Sequence, residues 1–174
     1  MKVLSLIEPW ATLIKEGKKV IETRSWKTSY RGELYIHASS KKIKRSDEHT
    51  IELLKLIPNV PMGYGTIICK CKLVDCIYMD QEFLDKIQKD QQEFLCGEYS
   101  LGRYAWILED VEALAEPIPA KGHLNIWNYD VIGQNYHNIE KQSNWVAVYD
   151  LWNRRNFDEM FDLAEQLYPG FSKN

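Results

Sequence analysis

Along this 174-residue chain the apolar positions keep two rhythms, and the places where one gives way to the other mark the elements. "MKVLSL" predicts a short strand. Pro9 in "EPWATLIKEG" suits the first turn of a two-turn helix, which Gly17 ends. "KVIETRSW" then alternates, so that Val20, Glu22, Arg24 and Trp26 share one face while Ile21, Thr23 and Ser25 share the other. In "GELYIHAS" the same rule sends Leu34, Ile36 and Ala38 to the core and turns Tyr35 and His37 away from it. A helix is expected through "DEHTIELLKLI", capped by Ser46, with Ile51, Leu54 and Ile57 at helical spacing and Pro58 and Pro61 closing it. "YGTIICKCKLVDCIYM" is the most regular strand, setting Ile67, Cys69, Cys71 and Leu73 against Ile68, Lys70, Lys72 and Val74. "DQEFLDKIQKD" predicts a short amphipathic helix, and "RYAWILEDVEAL" a strand, before "PIPAKGHLNIW", an extended segment broken by two prolines. Near the C-terminus, Asn156 and Glu159 form a capping box for a helix stopped by Pro169-Gly170, with Phe157, Met160, Phe161, Ala164 and Leu167 as its buried stripe.

Several strands with interspersed short helices, and no regular strand-helix-strand alternation, predict an α+β fold on a curled, barrel-like mixed sheet. The length favours one principal domain, residues 1–130, with a helical extension over 131–174 packed on it. No apolar run reaches the roughly 18 residues of a membrane span, and the N-terminus is too briefly apolar for a signal peptide, so a cytoplasmic location without membrane association is expected. Cys69, Cys71, Cys76 and Cys96 sit among core-like residues without the spacing of a disulfide scaffold or zinc site, which predicts reduced, packed thiols and no metal. No cofactor is expected, because no nucleotide-cradling glycine loop is present.

Charge changes the picture. The net charge is only −3, yet Lys15 to Arg45 hold ten Lys and Arg against three Glu, a local balance of +7 (10 − 3) that leaves −10 for the remainder. One basic sector on an acidic molecule presents anions with a single preferred approach. Within that sector "GKKVIETRSWKTSYRG" combines cations, a carboxylate and aromatic rings. Arg24 offers an always-charged guanidinium, Glu22 can orient it or accept from a base amino group, and Lys19 can meet a phosphate. Trp10, Trp26, Tyr30 and Tyr35 are stacking candidates for a base or sugar, and Arg31 and His37 are further polar candidates nearby. Strict alternation puts Lys19 and Glu22 on opposite faces, so they converge only if Lys19 still belongs to the helix-to-strand turn.

These residues resemble a known family. "LSLIEPWATLIKEGKKVIETRSWKTSYRGELYIHAS" is similar to the opening of the ASCH domain, whose signature G-x-K-x-x-E-x-R is matched by Gly17, Lys19, Glu22 and Arg24. "GTIICKCKLVDC" and "GRYAWILEDVEALAEPIPAKGHLNIWN" resemble the family's central strand and closing segment, in order, over roughly residues 3–128. The resemblance implies a PUA-like β-barrel with a cleft beside the first helix and a role in binding RNA, another single-stranded nucleic acid, or a modified nucleoside or nucleotide. It assigns Lys19, Glu22 and Arg24 to that cleft and adds Lys121 from the closing segment; the charges of Lys19 and Arg24 are expected at its rim.

Some relatives are amidohydrolases acting on acetylated cytidine through a Lys, a Thr and a Glu, and others are ribonucleases that need no metal. Here the threonine's position, three after the lysine, is Glu22, and Thr23 is turned away by alternation. The central strand offers Lys70 and Lys72, with only Asp75 close by, where a catalytic Glu is wanted. A hydrolase of the same fold, with Lys19 and Glu22 as its catalytic candidates, is therefore the alternative to a binding module. A protein-interaction module is the second alternative, since Trp145, Tyr149, Trp152 and Tyr168 are many aromatics for a terminal segment and suggest a protein partner.

Overall fold

A computed structural model describes residues 1–44, 47–130 and 157–167. The chain divides into two compact units, residues 1–129 and 130–174. The first contains β1 (Lys2–Leu6), α1 (Trp10–Lys15), β2 (Ile21–Arg24), β3 (Gly32–Ala38), α2 (Glu48–Lys55), β4 (Thr66–Tyr78), α3 (Gln81–Ile87), α4 (Gln91–Leu95), β5 (Tyr104–Pro119) and β6 (Ile126–Asn128). In the second, α5 (Phe157–Leu167) is the described element.

The six strands form one mixed sheet in the order β2-β5-β4-β3-β1-β6, antiparallel except for the β1–β3 pair. Register shifts interrupt β3 and β4 against their partners, between Ile36 and His37 and at three places along β4–β5. Such bulges bend a strand and raise its twist, so a long two-stranded ribbon curls. The curl is measurable: β2 and β1 lie four places apart in the sheet, yet Arg24 at the end of β2 donates from Nη2 to the Ser5 carbonyl on β1 at 3.5 Å. The enclosed core holds Leu4, Leu34, Ile36, Cys69, Leu73 and Trp106, with Ala11 and Ile14 of α1 packed into it. This is the expected α+β fold on a curled mixed sheet with short flanking helices.

Most elements sit where periodicity placed them, with informative exceptions. Asp47 is the cap of α2, its carboxylate accepting from the Thr50 N–H and hydroxyl; Ser46 lies outside the described residues. The buried face of α2 is Thr50 and Leu53, continued by Ile57, while the expected Ile51 is exposed and Leu54 half-buried. β5 runs on through Pro117 to Pro119 instead of breaking. Its pairing with β2 ends at Ile107, so beyond that point one edge is open and a missing N–H costs no ladder bond there. In α5, Met160 and Ala164 are buried, but Phe157 and Phe161 are exposed, contrary to the predicted stripe. Asn156, Trp145, Tyr149, Trp152 and Tyr168 lie outside the described residues, as do the side chains of Glu159 and Leu167.

The four cysteines are free and buried, and burial pushes the Cys71 thiol up to about 12 and that of Cys96 to about 11. Thiols held neutral in this way pack as small hydrophobes. Among the described residues no helix is long and apolar enough to cross a membrane, and no group of three or more His, Cys, Asp or Glu is placed to hold a metal.

Candidate nucleotide-binding site

The turn after α1 decides the geometry of the site. Gly17 takes φ +66°, a conformation a side chain disfavours, and both Lys18 and Lys19 then return their N–H groups to the Leu13 carbonyl, at 2.9 and 3.2 Å. Lys19 therefore belongs to the helix-to-strand turn, and its ammonium swings onto the Glu22 side: Nζ lies 3.6 Å from Glu22 Oε2 and donates to the Ile21 carbonyl. Glu22 in turn holds Arg24, whose buried Nε is 3.1 Å from Oε1, with the N–H off the line of a hydrogen bond. A carboxylate thus sits between two cations. The expectation that these charges occupy the rim is corrected for Lys19, which is 0% exposed; Glu22 is 7% exposed, and only Arg24 is half-buried.

A second device fixes the turn. Glu93, buried on α4, accepts from the Val20 N–H at 2.8 Å, the Ile21 N–H at 3.2 Å and the Tyr99 hydroxyl at 2.8 Å. Burial, and the neighbouring Glu93 carboxylate, hold the Tyr99 hydroxyl well above the ordinary tyrosine range, so it stays a donor. Nothing in the sequence pattern couples residue 93 to residue 20; only the docking of α4 does.

Lys19, Glu22 and Arg24 form one wall of a pocket of about 580 Å³ that Trp10 and His49 also line. The Trp10 and His49 rings lie 6.2 Å apart, tilted at 53°, and His49 is tethered by an Nε2–H bond to the Leu95 carbonyl at 2.8 Å. Arg103 closes another side, paired with Glu98 at 3.0 Å. Thr23 borders the pocket, but its hydroxyl oxygen accepts the Glu98 N–H at 3.1 Å. His49, Gly97, Glu98 and Arg103 were missed by sequence reasoning, because they reach the site from two separate parts of the chain.

Other expected site residues lie elsewhere. Trp26 packs edge-on against buried Trp106 at 4.6 Å and, with Tyr30, lines a separate recess of about 600 Å³. The Tyr30 hydroxyl donates to the Glu33 carbonyl. Arg31 donates to the Thr28 and Tyr30 carbonyls and pairs with Asp75 at 2.9 Å. Tyr35 joins a satellite cluster with Val3 and Ile67. His37, expected to face solvent, is 1% exposed, because the closing segment after β5 covers it. Its Nε2–H donates to the Ala120 carbonyl at 3.0 Å, which leaves Nδ1 to accept from Ser5 Oγ at 3.1 Å, while that oxygen accepts from Trp127 Nε1–H at 3.0 Å. Lys121 and His37 line a third recess, of about 630 Å³, that shares Ser5, Leu6, Ile7 and Arg24 with the first. Lys70 and Lys72 project toward β5 and pair with Glu112 and Asp110, at 3.0 and 2.8 Å, outside the pocket.

The ASCH domain profile matches residues 4–119, about two thirds of the chain and every element that builds the pocket. The chain belongs to the ASCH domain family. This ASCH protein is 31% identical over 134 residues to the human (Homo sapiens) Activating signal cointegrator 1, a match covering 73% of the chain and 22% of the relative. For the mouse (Mus musculus) protein of the same name the identity is 30% over 134 residues, with the same coverage. The match therefore spans about a fifth of the length of these relatives. Among solved structures it resembles the crystal structure of ASCH from Zymomonas mobilis, at 21% identity and a TM-score of 0.44, covering 68% of this chain and 72% of that one. A point mutant of the Zymomonas mobilis protein gives 18% and 0.40, covering 68% and 74%.

Proposed function

We propose that this ASCH domain binds single-stranded RNA by taking one unpaired nucleotide, plain or modified, into the pocket beside α1. The observation that carries the reading is the convergence of Lys19, Glu22 and Arg24 on one wall of a recess that Trp10 also lines. At about 580 Å³ the recess is the size of pockets that take small organic ligands. Two cations and one carboxylate leave that wall with a net +1, favouring a phosphate or an electron-rich base edge. Glu22 can accept from an exocyclic amino group while its other lone pairs stay with the cations. Trp10 supplies a face on which any base can stack, and only an unpaired base is free to leave its neighbours and enter.

Fluorescence anisotropy with labelled oligoribonucleotides tests this. Trp10→Ala and Arg24→Ala should each weaken binding by about 1 to 3 kcal/mol, roughly 5- to 150-fold, with the fold retained by circular dichroism. Unchanged affinity in both variants would remove the site.

The ion pair of Lys19 with Glu22 inside the pocket is the one observation that favours a hydrolase. Glu22 replaces the hydroxyl nucleophile with a carboxylate, and the Thr23 hydroxyl is engaged by Glu98, so hydrolysis of an acylated cytidine is expected to be absent. Acetate release by the wild type, abolished in Glu22→Gln, would shift the reading to an enzyme in which Glu22 activates water.

A further inference from the structure

Three recesses meet at one residue. Ile7, 45% exposed at the end of β1, borders the pocket beside α1, the recess holding Lys121, and a further one of about 310 Å³ on the far side of Trp10. Trp10 is shared by the first and the last of these, and Arg24 by the first and the Lys121 recess. One loop, "SSKKIK" at residues 39–44, links the outer two: Ser39 and Ser40 border the Lys121 recess, while Lys41, Lys42 and Lys44 border the one behind Trp10. These lysines are exposed, and their one ring contact among the described residues, Lys42 over the Tyr64 ring at 3.7 Å, leaves the charge at the surface.

Resting on the nucleotide reading of the central pocket, we infer that the three recesses are one groove for a single RNA strand of about three nucleotides. The middle nucleotide enters beside Trp10, and the flanking phosphates lie on the 39–44 loop and against Lys121. Two carboxylates border the recess behind Trp10, and both are occupied elsewhere. Glu8, 1% exposed, accepts from the Thr12 N–H and hydroxyl and from the Gly63 N–H. Asp47 caps α2. The lysines therefore dominate the field along this edge, where three cationic side chains can meet a charged backbone. A duplex cannot follow, because its bases stay stacked away from the central pocket.

The test is a length series of unlabelled oligoribonucleotides, from nucleoside 5′-monophosphate to tetranucleotide, measured by calorimetry over several salt concentrations. The Lys41→Gln/Lys44→Gln double variant, which spares the Lys42–Tyr64 contact, is compared with the wild type. Affinity should rise at least roughly tenfold from mononucleotide to trinucleotide and then level off. In the double variant the trinucleotide should bind more weakly, with a log–log salt slope shallower by roughly 0.7 for each phosphate contact removed, while mononucleotide binding is unchanged. A wild-type affinity independent of length would overturn the groove while leaving the central pocket intact. So would an equal loss of mononucleotide and trinucleotide binding in the variant, or preferential binding of duplex or of an acidic peptide. Failure of the wild type to bind any nucleotide would overturn the pocket reading, and the groove with it.

Discussion

Lys19 is the residue on which the site turns, and its burial makes it a stability determinant as well as a ligand candidate. Its ammonium meets the Glu22 carboxylate and the Ile21 carbonyl. Removing one member of a buried pair strands the other charge, at a cost of about 3 to 5 kcal/mol. Glu22→Ala should therefore destabilise by about that amount in urea unfolding, and Lys19→Met combined with Glu22→Gln should recover most of it. If the single and double variants are equally unstable, the ion pair is not the cause. His37 provides a pH readout. Burial pulls its pKa below the ordinary 6.5, so the unfolded chain takes up the proton first. The stabilisation it gives is complete above about pH 6.5 and declines as the pH falls through that value toward the depressed folded one. Thermal melts between about pH 8 and 5 should show that decline in the wild type and a flatter profile in His37→Gln.

At the scale of elements, short helices act as positioning devices for the strands. The α4 carboxylate Glu93 accepts hydrogen bonds from Val20, Ile21 and Tyr99 that hold the Lys19 turn in place. In Glu93→Gln one oxygen is replaced by an amide N–H₂, which would face either the Val20 N–H or the Ile21 N–H and Tyr99 hydroxyl. That substitution should cost about 1 to 3 kcal/mol in urea unfolding and weaken RNA binding along with stability. The α2 helix carries His49 to the pocket and depends on Asp47 at its N-terminus. Asp47→Ala should lower stability by about 1 kcal/mol in the same assay. Periodicity located α2 but mis-phased it, because its buried face is chosen by what it packs on: Leu53 and Ile57 meet Leu13 of α1 and Cys96, leaving Ile51 outside.

For the whole molecule, the basic sector and the curl act together. With a net charge of −3, the chain has no general attraction for polyanions, and the proposed binding would rest on the local excess around the groove. Single-stranded RNA should outcompete duplex DNA at equal phosphate concentration in anisotropy assays, and rising salt should weaken binding with a modest slope. Equal competition by duplex would place binding on the charged surface alone.

Much of this was written into the chain itself. A short apolar run located β1, alternation located β3 and β4, Gly17 marked the end of α1, and the G-x-K-x-x-E-x-R spacing brought Lys19, Glu22 and Arg24 forward as a group. These are local properties, set by side-chain direction and turn chemistry within a few residues. Tertiary structure alone decided that Lys19 would be buried, that Trp26, Tyr30 and Arg31 would serve a different part of the sheet, and that His37 would be covered by the Ala120 segment. It also brought Glu93, His49 and Arg103 to the site from distant parts of the chain. Curling the sheet until Arg24 reaches Ser5 creates these neighbourhoods, and no periodicity along the chain encodes which distant residues meet when an edge strand folds back.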